Sequence, residues 1–174
     1  MASILKVNTI QDATNSNTAL SIDSDGVVSQ SANPILKIQT ASNYTSGGSD
    51  SDHYIQNLTD VQINRGGFTT ASTNGGRITF PKTGYYDWKM LTFANISSGN
   101  IRAYQFDIYK NGSFFVHYNY HAISYQGSGT THGNFTLFDT FNLNANDYFE
   151  FIYRIYDNNT NVSIAHRMHF HWIP

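Results

Sequence analysis

Two apolar runs of strand length meet across the segment Pro81 to Gly84, with Ile78-Thr79-Phe80 before it and Tyr85 to Phe93 after it. A proline followed three residues later by a glycine is a turn signal. Proline cannot donate to a continuing ladder, and glycine reaches backbone conformations closed to other residues. The second run alternates with the period of a strand: Tyr86, Trp88 and Met90 take one side, and Tyr85, Asp87, Lys89 and Leu91 the other. A chain built around such a stretch reads as a β-sandwich.

The same grammar recurs along the chain. Ile35 to Thr40 reads as a strand with Pro34 as its extended start. Val61 to Asn64 and Phe68 to Thr70 flank Arg65-Gly66-Gly67, and Thr73 to Gly76 is a further turn. Ile101 to Tyr109 and Phe114 to Tyr120 form the clearest hairpin, because the Asn111-Gly112 between them suits a two-residue type I′ turn. Phe135 to Leu143 and Tyr148 to Tyr156 are strands around Asn144-Ala145-Asn146-Asp147, and Val162 to Ile173 is the last. About 9 or 10 strands and no helix are expected, at the spacing of a sandwich. Residues 41 to 53 are read as a polar Gly/Ser loop inside the domain, and Gln126 to Gly133 as a glycine-rich loop.

Arg77-Ile78-Thr79-Phe80-Pro81 followed by Gly84-Tyr85-Tyr86-Asp87-Trp88 resembles the strand, proline, Gly-x-Tyr-x-aromatic signature of the C1q/TNF-like jelly roll. Tyr109 to Ser113, Phe141 to Asp147 and the terminal strand His166 to Ile173 follow in that family's order. The resemblance covers roughly Ile35 to Pro174. It implies an all-β, two-sheet jelly-roll sandwich that packs as a homotrimer. Two departures stand out: Asn146-Asp147 replaces the family's Gly-Asp, and Phe170 is nearest to a glycine usual within the last strand.

Residues 1–33 are too polar and too short to hold a core alone. Ile4-Leu5-Lys6-Val7-Asn8-Thr9-Ile10-Gln11-Asp12, then Leu20, Ile22 and Gly26, resemble the opening of fibre-like or appendage chains in tailed phages of marine bacteria such as cyanophages. That likeness implies a virion-docking or trimer-intertwining segment extending ahead of a jelly-roll head at 34–174, with Ile4, Leu5, Val7, Ile10, Leu20 and Ile22 as its contact residues.

Composition narrows the function classes. A formal net charge of -2 with only 13% charged residues leaves no basic field for nucleic acid. The absence of cysteine removes disulfides and thiolate metal sites. No secretory core or membrane-spanning run is visible, so the expectation is a chain made in a host cytoplasm, without membrane insertion.

Strand alternation leaves apolar groups on second faces that a solvated surface does not need: Tyr85 and Leu91 after Gly84, and Tyr148 and Ile152 in the penultimate strand. In the last strand Ala165, Arg167, His169, His171 and Ile173 share one side. By the C1q/TNF likeness, the sheet holding the first and last strands and these two would pack about a threefold axis. The interface residues expected are Tyr85, Leu91, Tyr148, Ile152, His169, His171 and Ile173.

Candidate chemistry is thin. Copies of His169 and His171 around a threefold could hold a metal or an anion, but packed interface histidines are commoner, and neither a metal nor a cofactor is expected. His117 and His121 share a face, read as a surface patch or a sheet contact. Asp50, Asp52 and Asp60 lack the spacing of a calcium loop. No nucleophile elbow or zinc-helix motif occurs, and Asp147 and Glu150 fall on opposite faces. Tyr44, Tyr54, Tyr125 and His132 among Ser, Gly and Asn resemble recognition loops, suited to a host surface glycan or protein. The reading is a non-enzymatic trimeric head of a phage fibre, appendage or capsid decoration. Its alternative is a free, lectin-like trimeric recognition module.

Overall fold

The structure, a computed structural model, describes residues 9–11, 18–22, 24, 28–29, 33–40, 44–47, 52–55, 58–71, 76–96, 101–121, 131–157 and 161–173. Three short strands come first: β1 (Thr9–Gln11), β2 (Thr18–Ile22) and β3 (Val28–Ser29). They pair antiparallel with one another in the order β1-β2-β3, with Ile10 opposite Leu20. Ile4, Leu5 and Val7 lie outside the described residues.

Twelve strands follow: β4 (Ile35–Gln39), β5 (Tyr44–Gly47), β6 (Asp52–Tyr54), β7 (Asp60–Arg65), β8 (Thr69–Thr70), β9 (Ile78–Thr79), β10 (Gly84–Ile96), β11 (Ile101–Lys110), β12 (Ser113–His121), β13 (Thr131–Leu143), β14 (Tyr148–Asp157) and β15 (Asn161–Ile173). They build two antiparallel sheets. The first runs β13-β10-β15-β4-β7 with β5 added on β15, and the second β12-β11-β14-β9-β8 with β6 added on β14.

The expected loop over residues 41–53 therefore contains two strands. β15 and β14 are longer than the neighbours that cover one side of them: β4 takes Arg167 to His171 and leaves Asn161 to Ile164 to β5, while β9 takes Tyr148 and Phe149 and leaves Ile152 to Arg154 to β6. Backbone groups need partners whatever the side chains are, so a polar Gly/Ser stretch can supply a strand.

The turn signals mark crossings between sheets. β9 lies in the second sheet and β10 in the first, because Pro81 cannot extend the β9 ladder and Gly84, at φ 143, turns the chain across. The Asn144–Asp147 turn carries the chain back, so β13 and β14 are not partners. Phe80 holds both crossings together: its N–H donates to the Asp147 carbonyl at 2.9 Å and its carbonyl accepts from Asn146 N–H at 2.8 Å. The β11–β12 hairpin forms as expected, with Asn111 and Gly112 at φ 52 and 78, both positive as a type I′ turn requires.

The core fills the space between the sheets. Tyr86, Trp88, Met90, Leu36, Ile38, Met168 and Phe170 descend from the first sheet onto Phe106, Ile108, Phe149, Phe151 and Phe80 of the second, all buried. Phe80 sits at the centre, with Tyr86 and Phe149 each at 4.9 Å and Phe170 at 5.3 Å, edge to face. Phe170, on the last strand, is a full member of this cluster. The Tyr86 hydroxyl closes the turn before it, donating to the Lys82 carbonyl at 2.8 Å and accepting from Lys82 N–H at 3.2 Å. At the open edge of the sandwich, Tyr118 of β12 donates to Asp139 of β13 at 2.6 Å and ties the two sheets together.

A histidine is sealed in this core beside Thr92. His166 is 2% exposed, its Nδ1 lies 3.0 Å from Thr92 Oγ1, and among the described residues its Nε2 finds no partner. Burial pushes its pKa down to about 3.

Candidate intersubunit face

β4, β10, β13 and β15 each send alternate residues into the core, so the other parity must form the outer face of the first sheet. The register lines these residues up in rows across it. One row reads Phe138, Lys89, His169, Lys37, Ile63, and the next Thr140, Asp87, His171, Ile35, Arg65. Tyr85 stands opposite Ile173, and Leu91 opposite Arg167. Tyr85, Leu91, His169, His171 and Ile173 are thus brought together on one face.

Tyr148 and Ile152 are not. Both belong to β14, which pairs with β11, β6 and β9 in the second sheet. The expectation that the penultimate strand shares a sheet with the first and last strands is overturned by the crossing at Asn144–Asp147. The apolar surface of these residues is satisfied within the chain. Arg77 lies over the Tyr148 ring at 4.0 Å while bonding Glu150 at 2.7 Å, and Ile152, 5% exposed, has Asp107 and Tyr54 as its cross-strand neighbours.

Residues that sequence patterning passed over matter more on this face. Phe138 is 79% exposed, Tyr85 55% and Ile63 48%. Phe138 and Ile63 lie on the two outermost strands of the sheet, β13 and β7. The sequence signal for Phe138 is its parity: in Phe135 to Leu143 it opposes Phe135, Leu137 and Phe141, all buried. A shallow cleft of about 600 Å³ runs beside it, lined by Asp87, Lys89, Phe138, Thr140, His169 and His171 among others. Asp87 stands directly opposite His171, a carboxylate that spacing along the chain could not place there, and its Oδ1 accepts from Thr140 Oγ1 at 2.8 Å.

The remaining candidates are dispersed. Tyr54 lies in β6, half exposed, and Tyr44 in β5, so these two belong to strands rather than to recognition loops. His132 lies in β13, and Tyr125 outside the described residues. Asp60 accepts from Gln39 and Gln62, both at 2.6 Å, Asp52 lies in β6, and Asp50 is outside the described residues. Among the described residues no group of three or more His, Asp or Glu converges to hold a metal ion. His117 meets Asp107 at 2.5 Å on the outer face of the second sheet, where Gln105, Tyr156 and Arg154 continue the hydrogen-bond chain. At the tip of the β11–β12 hairpin Phe114 and Phe115 are 58% and 42% exposed.

These two sheets, joined by crossings and packed on an aromatic core, define an all-β jelly-roll sandwich similar to TNF and C1q domains. Murine APRIL aligns over 81% of this chain and 99% of its own at 10% identity and a TM-score of 0.51. The Eiger TNF of S. frugiperda covers 82% of this chain and 92% of its own at 10% identity and a TM-score of 0.49. The globular domain of zebrafish complement 1qA covers 78% and 94%, at 9% identity and a TM-score of 0.44. No protein family matches the chain by its sequence, and no curated protein does.

Proposed function

We propose that this chain is the non-enzymatic, homotrimeric head of a tailed-phage appendage, fibre or capsid decoration, made in the host cytoplasm and docked to the virion through residues 1–33. The observation that carries the oligomer is the outer face of the first sheet, where Tyr85, Phe138 and Ile63 are exposed on a folded domain whose core is otherwise closed. Large apolar groups left exposed at both edges of one sheet face support a contact there. Phe138 and Ile63 lie on opposite edge strands, which suits a head-to-tail contact that closes into a ring. The number three comes from the likeness to C1q/TNF domains, and the virion role from the N-terminal sequence.

Light scattering on a size-exclusion column tests the oligomer. The full chain should elute with the mass of a trimer, Phe138→Glu should shift it towards monomer, and a monomeric wild-type chain would refute the reading. Removing residues 1–33 should abolish incorporation into particles while leaving the trimer intact. Unchanged incorporation would instead favour the alternative, a free lectin-like recognition module. That second reading has its own support in Phe114 and Tyr54, exposed on β12 and β6 of the second sheet and suited to stacking on a host glycan or packing against a protein.

A further inference from the structure

The central row of the first sheet's outer face places Lys89, His169 and Lys37 on three adjacent strands, with Phe138 and Ile63 at the two ends. Strands are about 4.8 Å apart, so the three nitrogen-bearing side chains rise from a span of about 10 Å. No carboxylate belongs to the row. Asp87 is one row away and already engaged by Thr140, while Arg167, Gln39 and Asp60 border the other side, with Asp60 taken up by Gln39 and Gln62. Among the described residues neither Lys37 nor Lys89 has a carboxylate partner.

We propose that this row is a binding site for a small polyvalent oxyanion of the phosphate or sulfate class, held by Lys37, His169 and Lys89. The inference rests on the proposed trimer in one respect. Closing this face between copies would bury cations without counter-charge, at a large desolvation cost that an enclosed anion offsets. A cleft opens on the Lys89 and His169 side of the row, where Asp139 turns to Tyr118 and Asp87 to Thr140.

A metal cation fits this row poorly, because two flanking ammonium groups repel it. The groups that face His169 are Lys37 and Ile35 on β4, Asp87, Lys89 and Leu91 on β10, and Arg167 and His171 on its own strand. Its pKa is lowered by burial and then by the charges of His171, Lys37 and Lys89, so the imidazole already senses the row that an anion would neutralise.

The test is a pH titration of the histidine ring protons of the full chain by NMR, in sodium chloride and in sodium sulfate at matched ionic strength. His169→Asn assigns the signal. Sulfate should raise the His169 midpoint by about half a unit or more, saturably, as expected for a bound counter-charge. In the double variant Lys37→Gln/Lys89→Gln sulfate should bind at least about tenfold more weakly. A midpoint that moves no further in sulfate than in chloride, or a double variant that responds like wild type, overturns the site. Light scattering on the same samples separates the two readings. A monomer whose His169 responds to sulfate keeps the anion site and refutes the trimer, whereas a trimer without the response refutes the site alone.

Discussion

Gly84 passes directly beneath the indole of Trp172, so closely that a β-carbon at position 84 would lie 2.4 Å from Trp172 Nε1. The same indole donates to the Thr83 carbonyl at 3.2 Å and carries Lys82 at 5.0 Å from its ring. The glycine of the Gly-x-Tyr signature thus serves two needs at once, a positive φ and a backbone bare enough for the last strand to cross over it.

Gly84→Ala should therefore destabilise the domain by about 2–4 kcal/mol, combining backbone strain with displacement of Trp172. Urea denaturation monitored by tryptophan fluorescence would measure it. A loss below about 0.5 kcal/mol would mean that the indole moves aside freely.

Asn111 links the hairpin tip to the sheet crossing. Its Nδ2 donates to Asp147 Oδ1 at 2.7 Å and its Oδ1 accepts from Tyr148 N–H at 2.9 Å, while its φ is 52. Asn111→Gly keeps the backbone and loses the bonds, costing about 1 kcal/mol, whereas Asn111→Ala loses both and should cost about 2 kcal/mol. Equal effects would show that the turn conformation contributes nothing.

Asp147 should carry acid sensitivity at the same place. Burial alone would raise its pKa, but hydrogen bonds from Lys110, Asn111 and the Asn144 N–H overcome that and hold the carboxylate below its usual range. A depressed carboxylate stabilises the fold above its unfolded pKa and loses that contribution as pH falls, so Asn111→Ala should shrink the stability lost on acidification below about pH 4.

His166 acts higher in the pH range. Its native pKa of about 3 lies below the unfolded value near 6.5, so above that value both states are neutral and the group has no linkage effect. Below about 6.5 the unfolded chain takes up a proton that the native core refuses, and stability falls by about 1.4 kcal/mol per pH unit from this residue. His166→Leu should flatten the urea stability curve by that slope between about pH 6.5 and 5. An unchanged slope would show that the native core accepts the proton.

Ile152 and Tyr85 separate folding from assembly. Ile152→Ala empties a buried site and should cost about 2–4 kcal/mol of unfolding free energy without changing the solution mass of the folded protein. Tyr85→Ser, at an exposed site on the proposed contact face, should leave the unfolding of a monomer within about 0.5 kcal/mol and weaken the oligomer. A change of mass in the first variant and none in the second would reverse these roles.

Much of the fold is written in local chemistry. Alternation in Tyr85 to Leu91 assigns the core side of β10, Asn111-Gly112 assigns a hairpin whose turn needs two positive φ angles in succession, and Pro81 with Gly84 stops one strand and starts another. Each depends only on residues a few positions apart, which is why the sequence by itself determines strands, turns and the aromatic interior. Which sheet a strand joins is a different matter. Nothing within Tyr148 to Tyr156 distinguishes a strand that pairs with β13 from one that pairs with β11, so Tyr148 and Ile152 could not be placed on the right face from their pattern. The polar stretch holding β5 and β6 was silent for the same reason, since its strands answer backbone groups left open on β14 and β15. The row of Lys37, Lys89 and His169 joins residues up to 132 positions apart, in register only because β10 and β4 flank β15. Cross-strand neighbours are set by long-range pairing, and that pairing, decided by the tertiary structure alone, puts three nitrogen-bearing side chains side by side.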